Sequence, residues 1–138
     1  MTSRATRIDA LRELVRAGGL RTQSEAAEVL SGHGLDVTQA TVSRDLAALG
    51  ARKDASGCYE LPEDAALASA LAREVAGTRI ALNQVVLFTS PGSAGAVAAA
   101  IDAARPDGVI ATIAGDDTVL AICADEPAAE KFHARVRA

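Results

Sequence analysis

Apolar residues recur at helical spacing through residues 8–49 and at strand spacing over much of 79–123. In the first stretch Ile8, Leu11, Leu14 and Val15 fall on one helical face, and "AGG" at 17–19 is a helix stop. "TQSEAAEVL" then places Thr22 three residues before Glu25, a capping-box pattern. Ala26, Ala27, Val29 and Leu30 form its apolar side, and "SGHG" at 31–34 ends it. A third helix starts at Thr38, with Val42, Leu46 and Leu49 as a core stripe at i, i+4 and i+7 and Gly50 as its close. Residues 51–53 and 58–61 can pair as two short strands around the turn "DASG". Three helices followed by a small hairpin is the layout of a winged helix-turn-helix.

The pattern changes at "PEDAALASALAREVAGT", residues 62–78, a polar-alanine stretch that predicts a linker helix ending near Gly77. "RIALNQVVLFTS" at 79–90 then reads as one strand, or two broken near Asn83. "PGSAGAVAAAIDAARPDG" predicts a helix from near Gly92 to just before Pro106. Val109–Ala114 and Thr118–Cys123 read as strands around "GDD", and "DEPAAEKFHARV" as a last helix with Pro127 in its first turn. The second half is thus β-β-α-β-β-α, which suits a sheet with helices on one face. The fold class expected is α+β: a winged helix-turn-helix over 1–63, a linker helix over 64–78 and a small two-layer α/β domain over 79–138.

Composition sharpens this picture in three ways. Aromatic residues are limited to Tyr59, Phe88 and Phe132, so the core must be built from small side chains, and burial through self-association would help it. No apolar run approaches the roughly 18–20 residues needed to span a membrane, and "MTSRATRIDALREL" has no apolar signal-peptide core. A cytoplasmic location and no membrane partner are the expectations. Cys58 and Cys123 form no metal-like cluster and are expected to be small buried hydrophobes. His33 and His133 are expected at the surface.

Charge adds a local signal. The net charge is −4, with eight basic and eight acidic groups in residues 1–62 and six against ten in residues 63–138. Arg4, Arg7, Arg12, Arg16 and Arg21 face only Asp9 and Glu13 in the first 21 residues, a basic edge on an otherwise acidic chain. On the third helix the positions off the core stripe include Gln39, Thr41, Ser43 and Arg44. Arg can bond two acceptors of guanine, Gln can bond adenine, and Ser or Thr can bond base or phosphate. Arg52 and Lys53 at the hairpin could contact flanking phosphate. Asp45 is repelled by phosphate and is expected to turn inward to a local Arg or Lys.

The second chemical feature is the pair Asp116 and Asp117 in "GVIATIAGDDTVLAIC", 108–123. Gly and Asp are preferred turn residues, so a plain hairpin tip remains one reading. A carboxylate is also the bidentate match of a guanidinium. Around a symmetry axis, acids repeated from each subunit repel, and a bridging cation would relieve that repulsion. Two acids without a nearby His or third acid make a poor metal cage. "SPGSAG" at 90–95 has neither the lysine of a P-loop nor G-x-G-x-x-G spacing, so a tight turn is the expectation; a functional role would be for the helix N-terminus to attract a carboxylate, a backbone route that Gly95 leaves open. No nucleophile, base partner or cofactor motif supports an enzyme.

Together "TQATVSRDLAALGA" and "TSPGSAG…IATIAGDDT" resemble the bacterial arginine repressor family over nearly the full length. The resemblance implies an N-terminal domain that binds operator double-stranded DNA and a C-terminal domain that trimerises, two trimers stacking into a hexamer. It implies that L-arginine, as co-repressor and with no other cofactor, binds between trimers and promotes both the stack and operator binding. Family members repress arginine biosynthesis, and some activate arginine catabolism. By the match, Ser43 and Arg44 would read DNA with Gln39 and Thr41 beside them. Asp116 and Asp117 would be the main arginine-binding acids, with Thr112, Ala114 and Asp102 completing the pocket. Gly95 stands where family members have Gln or His, a side chain expected to hold the amino-acid end of the ligand, and Ala111 stands where Gly is common. The guanidinium end of the pocket is thus intact and the other end weakened. A paralogue with an altered or lost ligand response is the alternative that Gly95 raises.

Overall fold

The computed structural model of the chain describes residues 3–138, which divide into two compact units after Pro62. The first holds α1 (Arg4–Ala17), α2 (Gln23–Gly32), α3 (Gln39–Ala48), β1 (Arg52–Lys53) and β2 (Tyr59–Glu60). Each helix opens on a hydroxyl that satisfies an otherwise orphaned amide: Ser3 accepts from Thr6, Thr22 from Glu25 and Thr38 from Thr41. Such caps are each worth about 1 kcal/mol. The Glu25 carboxylate reaches back to the Arg21 amide at 3.1 Å, one residue earlier than a standard capping box.

Leu11, Val15, Leu20, Ala26, Leu30, Val42, Leu46 and Leu61 form this unit's core. Val29, expected on the apolar side of its helix, is exposed. The buried stripe of α2 is narrow, Ala26 and Leu30 one turn apart, and Val29 falls at its edge. β1 and β2 pair antiparallel, and the Tyr59 amide donates to the Leu20 carbonyl at 2.8 Å, laying the segment before α2 along the hairpin. Cys58 is only half-buried, because this two-stranded wing has no layer to cover it.

The second unit contains α4 (Pro62–Glu74, which starts on the last residue of the first unit), β3 (Val75–Ala81), β4 (Gln84–Thr89), α5 (Ala94–Ala104), β5 (Val109–Ala114), β6 (Thr118–Cys123) and α6 (Glu126–Arg137). The helix expected to reach 78 stops at Glu74, and Val75 to Thr78 are strand. Their pairing with β4, Val75 opposite Thr89 and Gly77 opposite Phe88, outweighs the helix propensity of the alanines before them. The 79–90 stretch is two strands, broken at Leu82 and Asn83. α5 starts at Ala94, since Gly92 is spent on a turn with φ 81°.

The sheet order is β3-β4-β6-β5, antiparallel throughout. Val85, Leu87, Val119, Ala121 and Cys123 point to one face and share a core with Leu67 and Leu71 of α4, Val97 and Ile101 of α5, and Ala129 and Phe132 of α6. Full burial of one such large side chain stabilises by about 1.5–3 kcal/mol. A Cβ at Gly108 would lie 2.5 Å from that of Ala128, so only glycine lets β5 start this close to α6. His133 is half-buried, not at the surface, because α6 lies along β3 and brings Nε2 within 2.9 Å of Thr78 Oγ1. Burial pushes the Cys123 thiol pKa up, with the Asp125 charge adding to it. No helix among the described residues is long and apolar enough to cross a membrane.

Candidate DNA interface and ligand site

α3 is seated by Val42 and Leu46 in the core and by one ion pair. Asp45 is buried, and its carboxylate accepts from Arg7 Nε at 2.5 Å and Nη2 at 3.2 Å. Asp45 turns inward as expected, but to Arg7, 38 residues away, and not to a local Arg or Lys. The hydrogen bond that Arg7 donates to Asp45 raises the Arg7 pKa, burial opposes it, and charge attraction adds to the rise. With its acid turned inward, α3 presents no negative charge on its outer face.

That face carries Gln39 and Arg44 exposed and Thr41 and Ser43 half-buried. Arg44 Nε lies 3.4 Å from the Ala40 carbonyl, so its terminal nitrogens remain available to an acceptor. Thr41 Oγ1 is 3.1 Å from Thr38 Oγ1, which shares its hydroxyl with the cap. Two side chains not singled out from the sequence join this surface. Gln23 Nε2 donates to Ser43 Oγ at 3.3 Å, and Ser24 Oγ donates to Gln39 Oε1 at 3.3 Å. Their sequence signal was position alone: both directly follow the Thr22 cap, at the start of the helix before α3.

Arg52 and Lys53 are exposed on β1, and Lys53 Nζ sits 5.4 Å from the Tyr59 ring centre. The wing tip is folded around Asp54, whose Oδ1 accepts from the Ser56 hydroxyl at 2.6 Å, the Ser56 amide at 2.8 Å and the Cys58 amide at 3.0 Å. These bonds, the Ser56 hydroxyl foremost, hold the Asp54 carboxyl below the usual carboxylate range. Arg21 Nη1 fastens the tip through the Ser56 carbonyl at 2.9 Å.

In the second unit the GDD turn is pinned by its backbone. The Asp117 carbonyl accepts from the Thr89 amide at 2.7 Å, and the Asp116 carbonyl accepts from Gly92 and Ala94 at 3.1 and 3.2 Å. The SPG loop and the acid pair therefore form one fixed structure. Glu74 braces it: its carbonyl accepts from the Ser90 amide at 3.0 Å, and its Oε2 from the Ser93 hydroxyl at 2.8 Å. Both acids are exposed. Asp117 Oδ1 accepts from the Thr118 hydroxyl at 3.1 Å, while the Asp116 carboxylate has no hydrogen bond or ion pair among the described residues.

Asp102 and Thr112 are brought together on neighbouring elements, the threonine hydroxyl donating at 2.8 Å. They line an open groove of about 410 Å³ with Ile101, Arg105, Val109 and Ala111. Asp116 and Asp117 are not among the residues that line this groove. Ala114 lies on β5 one residue before the GDD turn. Gly95, in the first turn of α5, is exposed, and a Cβ there would meet nothing within 4 Å. No group of three or more His, Cys, Asp or Glu among the described residues could hold a metal ion.

A three-helix unit with a β-wing and a polar, acid-free outer helix face defines a winged-helix DNA-binding protein, in this chain followed by a separate α/β unit. The family profile described as "Arginine repressor, DNA binding domain" matches residues 2–66, and "Arginine repressor, C-terminal domain" matches residues 71–138. The arginine repressor of Anaeromyxobacter sp. (strain K) is 43% identical over 141 residues, covering 99% of this chain and 88% of that protein. That of Carboxydothermus hydrogenoformans is 42% identical over 135 residues, covering 89% of each. That of Solibacter usitatus is 40% identical over 124 residues, covering 86% and 83%. The chain belongs to the arginine repressor family, and is a DNA-binding transcriptional regulator and not an enzyme.

Proposed function

We propose that the chain is an L-arginine-dependent repressor of arginine biosynthesis genes, with a capacity to activate arginine catabolism, acting in the cytoplasm. Gln39, Thr41, Ser43 and Arg44 enter the major groove of operator DNA, and Arg52 and Lys53 hold flanking phosphates. L-arginine binds where two trimers meet and favours the hexamer. Six winged helices presented together raise operator avidity, by about 10²–10⁴ where paired half-sites can be spanned at once.

The observation that carries this reading is the state of the acid pair. Asp116 has a free carboxylate at a turn whose backbone is held by Thr89, Gly92 and Ala94, so only the side chain of this acceptor remains to be ordered when a guanidinium binds. The groove beside Asp102 and Thr112 is open and is not lined by the acid pair, which supports a site completed by a neighbouring subunit. So does the second sheet face, where Val86, Phe88, Leu120, Ile122 and Ile113 lie on neighbouring strands opposite the helices. Phe88 and Ile113 are 40% and 61% exposed there, apolar area that copies of the chain would bury.

Gly95 favours one second reading. Its site is open and lacks a side chain, so a relative with an altered or lost ligand response fits the same fold. Gel retardation separates the two. On the leading reading L-arginine strengthens retention of an arginine-gene promoter fragment, and Asp116→Ala removes that enhancement while leaving basal retention. Retention indifferent to L-arginine in the unsubstituted chain supports the second reading instead.

A further inference from the structure

The candidate recognition side chains do not stand alone. Two of the four are held from α2, each by a single hydrogen bond, and each bond leaves its recipient with a defined chemical role. Ser24 donates to Gln39 Oε1. That oxygen has two lone pairs, so one stays free, and the NH₂ group remains available. Gln39 is then set to accept from the amino group of an adenine and donate to its N7. Gln23 donates to Ser43 Oγ. An engaged lone pair leaves the serine hydroxyl as a donor, directed to an acceptor such as guanine O6 or N7 or a phosphate oxygen.

We infer that Gln23 and Ser24 are positioning residues of the DNA interface, which set Ser43 as a donor and Gln39 in one amide orientation before DNA arrives. The inference rests on the recognition role proposed for α3. It adds a division of labour that α3 alone does not contain. A long glutamine on an exposed helix face is otherwise free to rotate, and binding would have to order it. Neither bond belongs to the apolar core of the unit, so removing one changes reading more than folding.

The test uses the full chain with L-arginine present and two duplexes. One is selected from a random-sequence pool by the unsubstituted chain, and the other is a shuffled duplex of the same composition. Fluorescence anisotropy gives the affinity ratio between them. Ser24→Ala and Gln39→Ala are each expected to lower that ratio by about threefold to tenfold, the effect of one ordinary hydrogen bond. The double variant is expected to be no worse than Gln39→Ala alone, and Ser24→Thr, which keeps the hydroxyl, to restore the ratio. Gln23→Ala with Ser43→Ala should behave likewise, with thermal midpoints unmoved. If Gln39→Ala and Ser43→Ala lower the ratio while Ser24→Ala and Gln23→Ala do not, or if the losses multiply, the positioning role is overturned. If Gln39→Ala and Ser43→Ala leave the ratio intact, the recognition role of those two residues falls, and this inference with it, while that of Arg44 stands or falls by Arg44→Ala.

Discussion

Asp45 shows how one residue serves both folding and binding. An acid on a DNA-facing helix would repel phosphate, and burying it unpaired would destabilise the unit. Arg7 resolves both by taking the carboxylate side-on beneath α3. Arg12 makes a superficially similar bond to Asp9, but that pair is exposed and three residues apart on one helix. Arg7→Ala is therefore expected to lower the thermal midpoint of the chain clearly more than Arg12→Ala, because exposed pairs contribute little. Equal losses would mean that the Arg7 pair has no special structural weight. The inward turn of Asp45 was legible in the sequence from charge alone, while its partner was not, since Arg7 lies 38 residues away. Gly95 poses the residue-scale question for the ligand. Open space at its Cβ position means that a side chain can start there without a clash. Gly95→Gln is expected to tighten L-arginine binding in calorimetry. Unchanged affinity would show that the missing side chain is irrelevant to the ligand. Thermal stability is the wrong readout for this variant, since removing a helical glycine stabilises by up to about 1 kcal/mol on its own.

At the scale of elements the wing tip rests on two side chains, Asp54 within it and Arg21 against it. Asp54 organises the tip through Ser56 and Cys58, and its folded pKa is depressed. Its contribution is therefore whole above the unfolded carboxylate value and is lost only as pH falls through the lower, folded value. The Ser56 and Cys58 amides are expected to stay protected from hydrogen exchange through mildly acidic pH, and to lose protection below the range where free aspartate titrates. Loss of protection near the ordinary aspartate value would contradict the tight turn, and Asp54→Ala should abolish protection at every pH. The element order was readable from hydrophobic spacing because caps and glycines mark most ends: Thr22, Thr38, Gly18 and Gly50. The end of α4 was not readable. Alanine-rich sequence favours helix locally, and the strand from Val75 exists only because β4, some ten residues on, offers its partners. The sharing of Ser43 and Gln39 with α2 was hidden for the same reason, since side-chain bonds between helices leave no periodic trace.

For the whole molecule, the candidate ligand site is the clearest case of what one chain leaves unfinished. The acids at 116 and 117 were visible as an oddity beside apolar strands. The backbone stitching that makes the SPG loop and the GDD turn a single piece was not. Asp102 and Thr112 are hydrogen-bonded to each other, and Asp116 and Asp117 are not among the residues that line their groove. The sheet face opposite the helices leaves Phe88 and Ile113 exposed, apolar area open to a covering partner. Under the proposed function, that partner is further copies of the same chain, and L-arginine is the ligand that favours their closure, since it binds the assembled state better than its parts. The most direct measurement is sedimentation velocity during an L-arginine titration. The expected result is a shift from trimer toward hexamer with L-arginine that ornithine and citrulline do not reproduce. A sedimentation profile unchanged at millimolar L-arginine would contradict the proposed function.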